Sequence, residues 1–441
     1  GKPFIGDANT AMSNIVSDAV QDIAVYEKTD EEKEFAGIHD TDKATVVDLK
    51  IKKEYQSQWN VNANLGGGTH SKYMAKVFAS NFTDRRRTAV YAQVNNISEN
   101  QVADENGNWH NDTWGAMGLY TYRKAGAIMS WDNGRKNTEA GHLEMDAEVE
   151  VGHDGGNNDG ISNVEYLLGT AGSHYSYQRS QRYGRNRDID FRGSMTFNID
   201  TLNRITASLS YVYNDSRNDN VSNQSTYSAI ADFANPEKGL VGDNVSEELK
   251  ALGINSNTAQ TFSTGRNNMF RIDVHYVHRF RKEGYSLTAD VRYNTNSNRS
   301  YSDGLTDYCY FNSNTPGVVD RRYSVTPSNN SDFEANATLQ GAFNKNIQFV
   351  VSYDYNRTKN DNAYDIYRLD RYPYYSQPGL HLGVRPSTAD SLAAVIDVAN
   401  SLYSETTEEF HRLDAALIGV WEKFEANVSA PVQYKDETLL Y

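Results

Sequence analysis

Long apolar runs are missing from this 441-residue chain. No stretch approaches the roughly 20 apolar residues that a membrane-crossing helix needs, and 38% hydrophobic residues with a mean hydropathy of -0.71 fit that absence. Transmembrane strands escape the exclusion, because their lumenal face and loops are polar and only alternate residues meet lipid. Cysteine is nearly absent: Cys309 alone rules out an internal disulfide framework, and with no His or acid pattern beside it a buried or loop thiol is expected rather than a nucleophile. Positive charge is scarce, 43 Lys and Arg against 58 Asp and Glu, which argues against a nucleic-acid partner. The His residues are scattered without a zinc-type pair, and no Gly-x-Ser-x-Gly or phosphate loop occurs, so neither an enzyme nor a cofactor is expected. Gly1-Lys2-Pro3-Phe4 is not a charged and apolar leader, which favours an internal piece of a longer protein.

What is present is alternation. Ile189, Phe191, Gly193, Met195, Phe197 and Ile199 fall on one face; Asp190, Arg192, Ser194, Thr196 and Asn198 fall on the other. After Asp200-Thr201-Leu202-Asn203 the pattern resumes with Ile205, Ala207, Leu209, Tyr211 and Tyr213. Period two is the mark of a strand with one apolar face, and each arm is about ten residues, the length a tilted strand needs to cross a bilayer. Similar units recur to Val432. In one of them Glu144, Asp146, Glu148 and Glu150 line the face opposite Leu143, Met145, Ala147, Val149 and Val151. Desolvating four carboxylates in a row costs several kcal/mol each, so that face must be wet, as in the wall of a hydrated barrel.

Connections alternate in length. Short turns fall at 83–86, 200–203, 281–284, 343–346 and 422–423; long loops are expected at 154–187, 215–266, 297–331 and 357–407. Helices are expected at Ser246 to Leu252 and after a cap at Ser387 to Asp390, with Leu392, Val395, Ile396 and Ala399 as its apolar face. Short turns on one side and long loops on the other are the habit of outer-membrane barrels, and thirty Tyr among the aromatics suit interface girdles. About thirteen strands are expected. The fold class is therefore all-β, an antiparallel transmembrane β-barrel in part.

Residues 1–54 read differently, as small α+β elements. A polar or helical step is expected at Ser17 to Asp22, then a strand at Ile23-Ala24-Val25-Tyr26, a solvated turn or helix at Lys28 to Glu34, and a second strand through Val46, Val47, Leu49 and Ile51. Gly1-Lys2-Pro3-Phe4 with Gly6-Asp7, Ile23 to Tyr26, Phe35-Ala36-Gly37-Ile38-His39-Asp40 and Val47 to Lys53 resemble the end of the plug domain in TonB-dependent outer-membrane receptors of the Bacteroidetes type, the broad SusC-like group and its barrel relatives. The resemblance implies a C-terminal part of a plug at 1–54 and the first portion of a barrel of about 22 strands at 55–441. It implies uptake of a glycan, peptide or metal chelate across the outer membrane of a Gram-negative cell, by loop and plug binding and energy-coupled plug rearrangement. Outer-membrane lipid, a TonB-type coupling protein reached through a segment this sequence lacks, and a surface lipoprotein would be the partners. A passive porin or adhesin barrel and a secreted β-rich carbohydrate-binding protein are the alternatives.

Candidate contacts lie in loops. Tyr175, Tyr177, Arg179, Arg182, Tyr183 and Arg185 offer aromatic faces and guanidinium forks to a glycan or peptide; an ordered extracellular hairpin, or Arg contacts to anionic surface lipid, explains the same residues. Tyr367, Arg371 and Tyr374 form a second candidate, or an aromatic lid packed on its neighbours. The carboxylate stripe spaces its side chains ~7 Å apart, wide for one cation, and the loops at 154–160 and 104–108 lack the pattern of an EF-hand. No metal site is expected.

Overall fold

A computed structural model describes residues 20–29, 35, 43–53, 57–98, 101–103, 109–111, 119–168, 172–242, 244–282, 284–311, 313–344, 346–372, 374–375, 382–384, 386–421 and 424–440. Near the N-terminus β1 (Val20–Thr29) and β2 (Lys43–Ile51) form a separate antiparallel pair. The main sheet is 13-stranded. It starts with β3 (Trp59–Gly67), β4 (Tyr73–Phe82) and β5 (Arg86–Asn95); the small pair β6 (Gln101–Ala103) and β7 (Trp109–Asn111) stands outside it. Then follow β8 (Leu119–Asp132), β9 (Leu143–Leu167), β10 (Ser173–Asn198), β11 (Asn203–Tyr227), β12 (Gly253–Arg279), β13 (Ser286–Tyr310), β14 (Val318–Asn344), β15 (Ile347–Arg368), β16 (Leu402–Trp421) and β17 (Phe424–Leu440). Each strand pairs antiparallel with its sequence neighbour in the sheet, and β3 and β17 are its open edges. The expected count of strands is met, and the barrel is not closed.

Continuous register fixes the faces. β10 pairs with β11 from Tyr175↔Tyr227 to Asn198↔Arg204, and with β9 from Ser173↔Leu167 to Phe197↔Leu143, without a bulge. Parity therefore carries from the apolar end to the tip. Near the short turns one face presents Val149, Val151, Ile189, Met195, Val291, Leu339, Val351, Leu413 and Leu417, all exposed. An apolar face with no protein over it is a lipid-facing wall. Tyr213, Phe270, Tyr293, Phe333 and Tyr355 border it on the side of the long connections, and Tyr276, Phe343, Phe349 and Trp421 on the side of the short turns, the two aromatic girdles of a transmembrane barrel. The opposite, polar face is lumenal.

The strands are much longer than expected. β9 to β14 run 25 to 27 residues, about 85 Å at 3.4 Å per residue, whereas the bilayer takes only 9–11 residues. Most of 154–187, 215–227, 253–266, 297–310, 318–331, 357–368 and 402–407, expected as loop, is strand. Above the lipid both faces are wet, so the apolar-polar contrast vanishes while the ladder of backbone hydrogen bonds continues. Cys309 likewise sits in β13 and is exposed. Val20 to Asp22 and Lys28-Thr29 belong to β1, and Trp109–Asn111 pairs with Gln101–Ala103. Residues 17–19, 30–34, 104–108, 112 and 422–423 lie outside the described residues.

Two connections keep real loops. After β11, residues 228–252 carry α1 (Glu247–Leu252) where a helix is expected, with Ser246 as its cap, and bury Ala231 and Leu240 against Tyr227. After β15, residues 369–401 carry α2 (Ala389–Ala393), capped by Thr388. α2 stops short of Val395 and Ile396 because that backbone pairs with β15 instead: Arg368 N–H donates to the Val395 carbonyl at 2.7 Å and Asp397 N–H to that of Ile366 at 2.7 Å. Val395 and Leu369 pack on Tyr323 and Val325.

Candidate functional site: the lumenal wall

The transmembrane part of the lumenal face is a lattice of charge. Glu150 binds Lys124 Nζ at 2.7 Å and accepts from the Tyr91 hydroxyl at 2.5 Å. Gly126 makes this reach possible, since a Cβ there would lie 2.3 Å from the Tyr91 ring. Asp146 accepts from Ser194 at 3.1 Å, and Glu144 is 3.8 Å from His142 Nε2. Further round, Asp273 takes Arg271 at 2.7 Å and Arg292 at 2.6 Å, and Arg292 reaches on to Glu334 at 2.8 Å. Between these groups lies a shallow cavity of about 430 Å³ lined by Asp146, Glu148, Arg192, Ser208, Arg271 and Asp273. The stripe carboxylates answer different partners, so they do not converge on one cation, and the described residues hold no group of three metal-binding side chains.

Towards the tips the lumenal face turns from charge to amide. One row of paired residues reads Asp188, Asn214, Asn267, Asn298, Ser328, Asn362 and Ser404 across β10 to β16. The row beside it includes Asn296, Asn330 and Asn360. The Oδ1 atoms of Asn267, Asn294 and Asn296 are buried with no hydrogen-bond partner among the described residues. Sequence reasoning missed this band. Its signal was every second residue of Asn-rich stretches, hidden because those stretches read as loop.

At the short-turn end the lumen holds a residue of the N-terminal segment. Phe35 is buried against Val277, with the Arg204 guanidinium 4.1 Å over its ring and that of Arg279 at 5.9 Å. Arg204 is itself fixed by Asn198 Oδ1 at 2.8 Å and by Asn137 Oδ1 at 2.6 Å. Asn198 in turn donates to the Asn137 carbonyl at 2.6 Å. The turn at 133–142 is thus folded under the lumen as a floor.

The loop candidates separate. Tyr175, Tyr177, Arg179, Tyr183 and Arg185 share the parity of Ile189 and lie on the outer face of β10; Arg182 alone is lumenal, donating to Asn218 Oδ1 at 3.0 Å. Tyr175 donates to Glu165 at 3.1 Å. Tyr177 packs with Tyr227, ring centroids 6.0 Å apart, and its hydroxyl accepts from Ala231 N–H at 3.3 Å. Arg179 grips Asp159 at 2.9 and 2.5 Å, and those hydrogen bonds, with a further one from Gln181, bring that carboxyl down to about 2. Arg185 pairs with Asp215 at 3.2 Å. Tyr367 lies five strands away, tilted on Tyr323 with ring centroids at 6.2 Å. Arg371 ends a 3-10 turn, and the Tyr374 ring meets Tyr375 edge-on at 5.0 Å.

Residues 278–382, from the end of β12 to the loop after β15, match the outer membrane protein beta-barrel family. No curated protein matches the chain. Together with the lipid-facing wall, that match places the protein in the outer membrane.

Proposed function

We propose that the chain is the plug end and first barrel portion of a TonB-dependent outer-membrane receptor, importing a neutral polar substrate such as a glycan or peptide. The observation that carries the reading is Phe35, seated on the lumenal floor between Arg204 and Arg279. A passive pore has no need of a preceding segment clamped in its lumen. The charged lower wall gives a movable plug polar surface to slide along, and the amide rows above it offer neutral donors and acceptors to hydroxyl or peptide groups. The reading assigns no catalysis to the chain. Its partners are a coupling protein of the inner membrane, a surface lipoprotein and outer-membrane lipid.

The test uses the full-length protein in planar bilayers, with Cys309 replaced by Ser. It is expected to be closed to KCl, to open when denaturant loosens the segment before Trp59, and to stay closed once an F35C/V277C disulfide forms. Steady conductance without denaturant would make the barrel a passive pore. Energy coupling is read separately: collapse of the inner-membrane proton gradient should abolish accumulation of fluorescent oligosaccharide and peptide probes.

A further inference from the structure

The outer wall changes character in one step. Val151 on β9 and Ile189 on β10 are exposed and lipid-facing. The next outward positions are His153 and Arg187, paired with each other, and His153 also pairs with Arg123 on β8. Arg185 follows one outward position higher on β10. Arg123 and Arg187 are exposed and flank His153 from either side. Adjacent strands are about 4.8 Å apart, so the Cα atoms of Arg123 and Arg187, on either side of β9, stand about 10 Å apart, a gap that two long arms close around one phosphate. Arg123, Arg187 and Arg185 all act on the His153 imidazole, which burial first and then these cations hold below its ordinary range; neutral imidazole still donates one hydrogen bond. Arg185 is engaged by Asp215, whereas Arg123 and Arg187 make no ion pair among the described residues.

We propose that Arg123, His153 and Arg187, with Arg185 behind them, bind the phosphate of an anionic lipid headgroup in the outer leaflet. Position selects the ligand: the patch continues the lipid-facing wall at the height where acyl chains give way to headgroups, and guanidinium forks match phosphate oxygens. A phosphate anchored by acyl chains is presented at this height. The inference needs only the outer-membrane wall and is independent of transport.

Native mass spectrometry of the full-length protein in detergent tests it, with bisphosphorylated lipid A and its dephosphorylated form as probes. Bisphosphorylated lipid should be retained and dephosphorylated lipid lost. One surface Arg is worth about fivefold in anionic-lipid affinity, so R123Q/R187Q should cut retention about 25-fold. R412Q, the same charge change on the lumenal face of β16, should not alter it. Heat-modifiable migration of each variant shows that the barrel is folded. Equal retention of both lipids, or by R123Q/R187Q and R412Q, would overturn the proposal. So would displacement of the lipid by equimolar inorganic phosphate, which would make the patch a free-anion site.

Discussion

Removing the charge of Asp303 should open the cap formed by residues 369–401. Asp303 and Arg321 face each other on β13 and β14 at 2.8 and 3.2 Å, with side-chain exposures of 0% and 1%. Arg321 also donates to the Tyr375 carbonyl at 2.6 Å, and Asp303 accepts from Gly383 N–H at 2.7 Å. The pair thus fastens the cap to the outer face of two strands. In Asp303→Asn the guanidinium is left buried without its counter-charge, a loss of about 3–5 kcal/mol in such sites. Arg321 keeps a carbonyl partner and the cap can lift to rehydrate it, so the lower end applies. About 3 kcal/mol raises the open-cap population about 150-fold. Hydrogen exchange at 382–395 reads this directly, since the barrel strands around it should keep their protection. D303L/R321M, which removes both charges, should recover most of the protection. Unchanged exchange in D303N, or a double variant no better than the single one, would refute the account of the pair as a fastener.

Three further outcomes follow from the two faces of the sheet. Val291, between Val274 and Ala335 on the lipid side, should not tolerate Arg, which costs about 2–4 kcal/mol at the bilayer midplane; Thr288, on the lumenal face of the same strand, should accept Arg, and folded yield by heat-modifiable migration compares them. Gly126→Ala should push the Tyr91 ring aside and break its bond to Glu150, at about 1–3 kcal/mol, read as a lower denaturant midpoint; in a Y91A background, which lacks the ring, the same substitution should cost little. In the part of the β9–β10 hairpin above the lipid, the Arg179 hydrogen bonds hold the Asp159 carboxyl down to about 2, below its ordinary 3.8. Its contribution is therefore present above 3.8 and lost as pH falls through about 2. Exchange around 157–161 and 179–183 should rise only in that window, and D159N should show no step there.

The transmembrane half of the fold was legible because lipid imposes a one-sided rule on the sequence. Where Ile189 to Ile199 alternates with Asp190 to Asn198, the surroundings alternate between lipid and lumen, and strand, face and turn all follow. Above Ile189 the rule lapses. Ser176, Gln178 and Ser180 on one face and Tyr175, Tyr177 and Arg179 on the other differ little in polarity, so the strand has no signature beyond its pairing, which is non-local. Local signals survived there: α1 forms within the stretch 246–252 that the sequence marks as helical, with Ser246 as its cap. The cap expected at 387–390 also forms, at Thr388, but the helix behind it is shorter than its sequence suggests, because backbone pairing of Val395 and Ile396 with β15 overrode the helical spacing of Leu392, Val395, Ile396 and Ala399.

Extending the parity of the membrane segment upward changes where a ligand should be sought. On β10 the aromatic and cationic residues that stand out in the sequence, Tyr175, Tyr177, Arg179, Tyr183 and Arg185, fall outside the wall, where they meet the loop at 228–252, neighbouring carboxylates or the headgroup zone. The residues that turn inward are less conspicuous: Asn186, Arg182, Ser180, Gln178 and Ser176, continued across the sheet by Asn214, Asn267 and Asn298. On the proposed reading, a substrate descending this wall would meet hydroxyls and amides before the charge lattice of Asp146, Arg192, Arg271 and Asp273. A neutral polar molecule would exchange water for like hydrogen bonds along the upper stretch, while a multiply charged one would find few counter-charges until the lower wall, where the carboxylates and guanidiniums already answer one another. Selectivity built this way lies in spacing and donor pattern along several strands rather than in a single aromatic clamp.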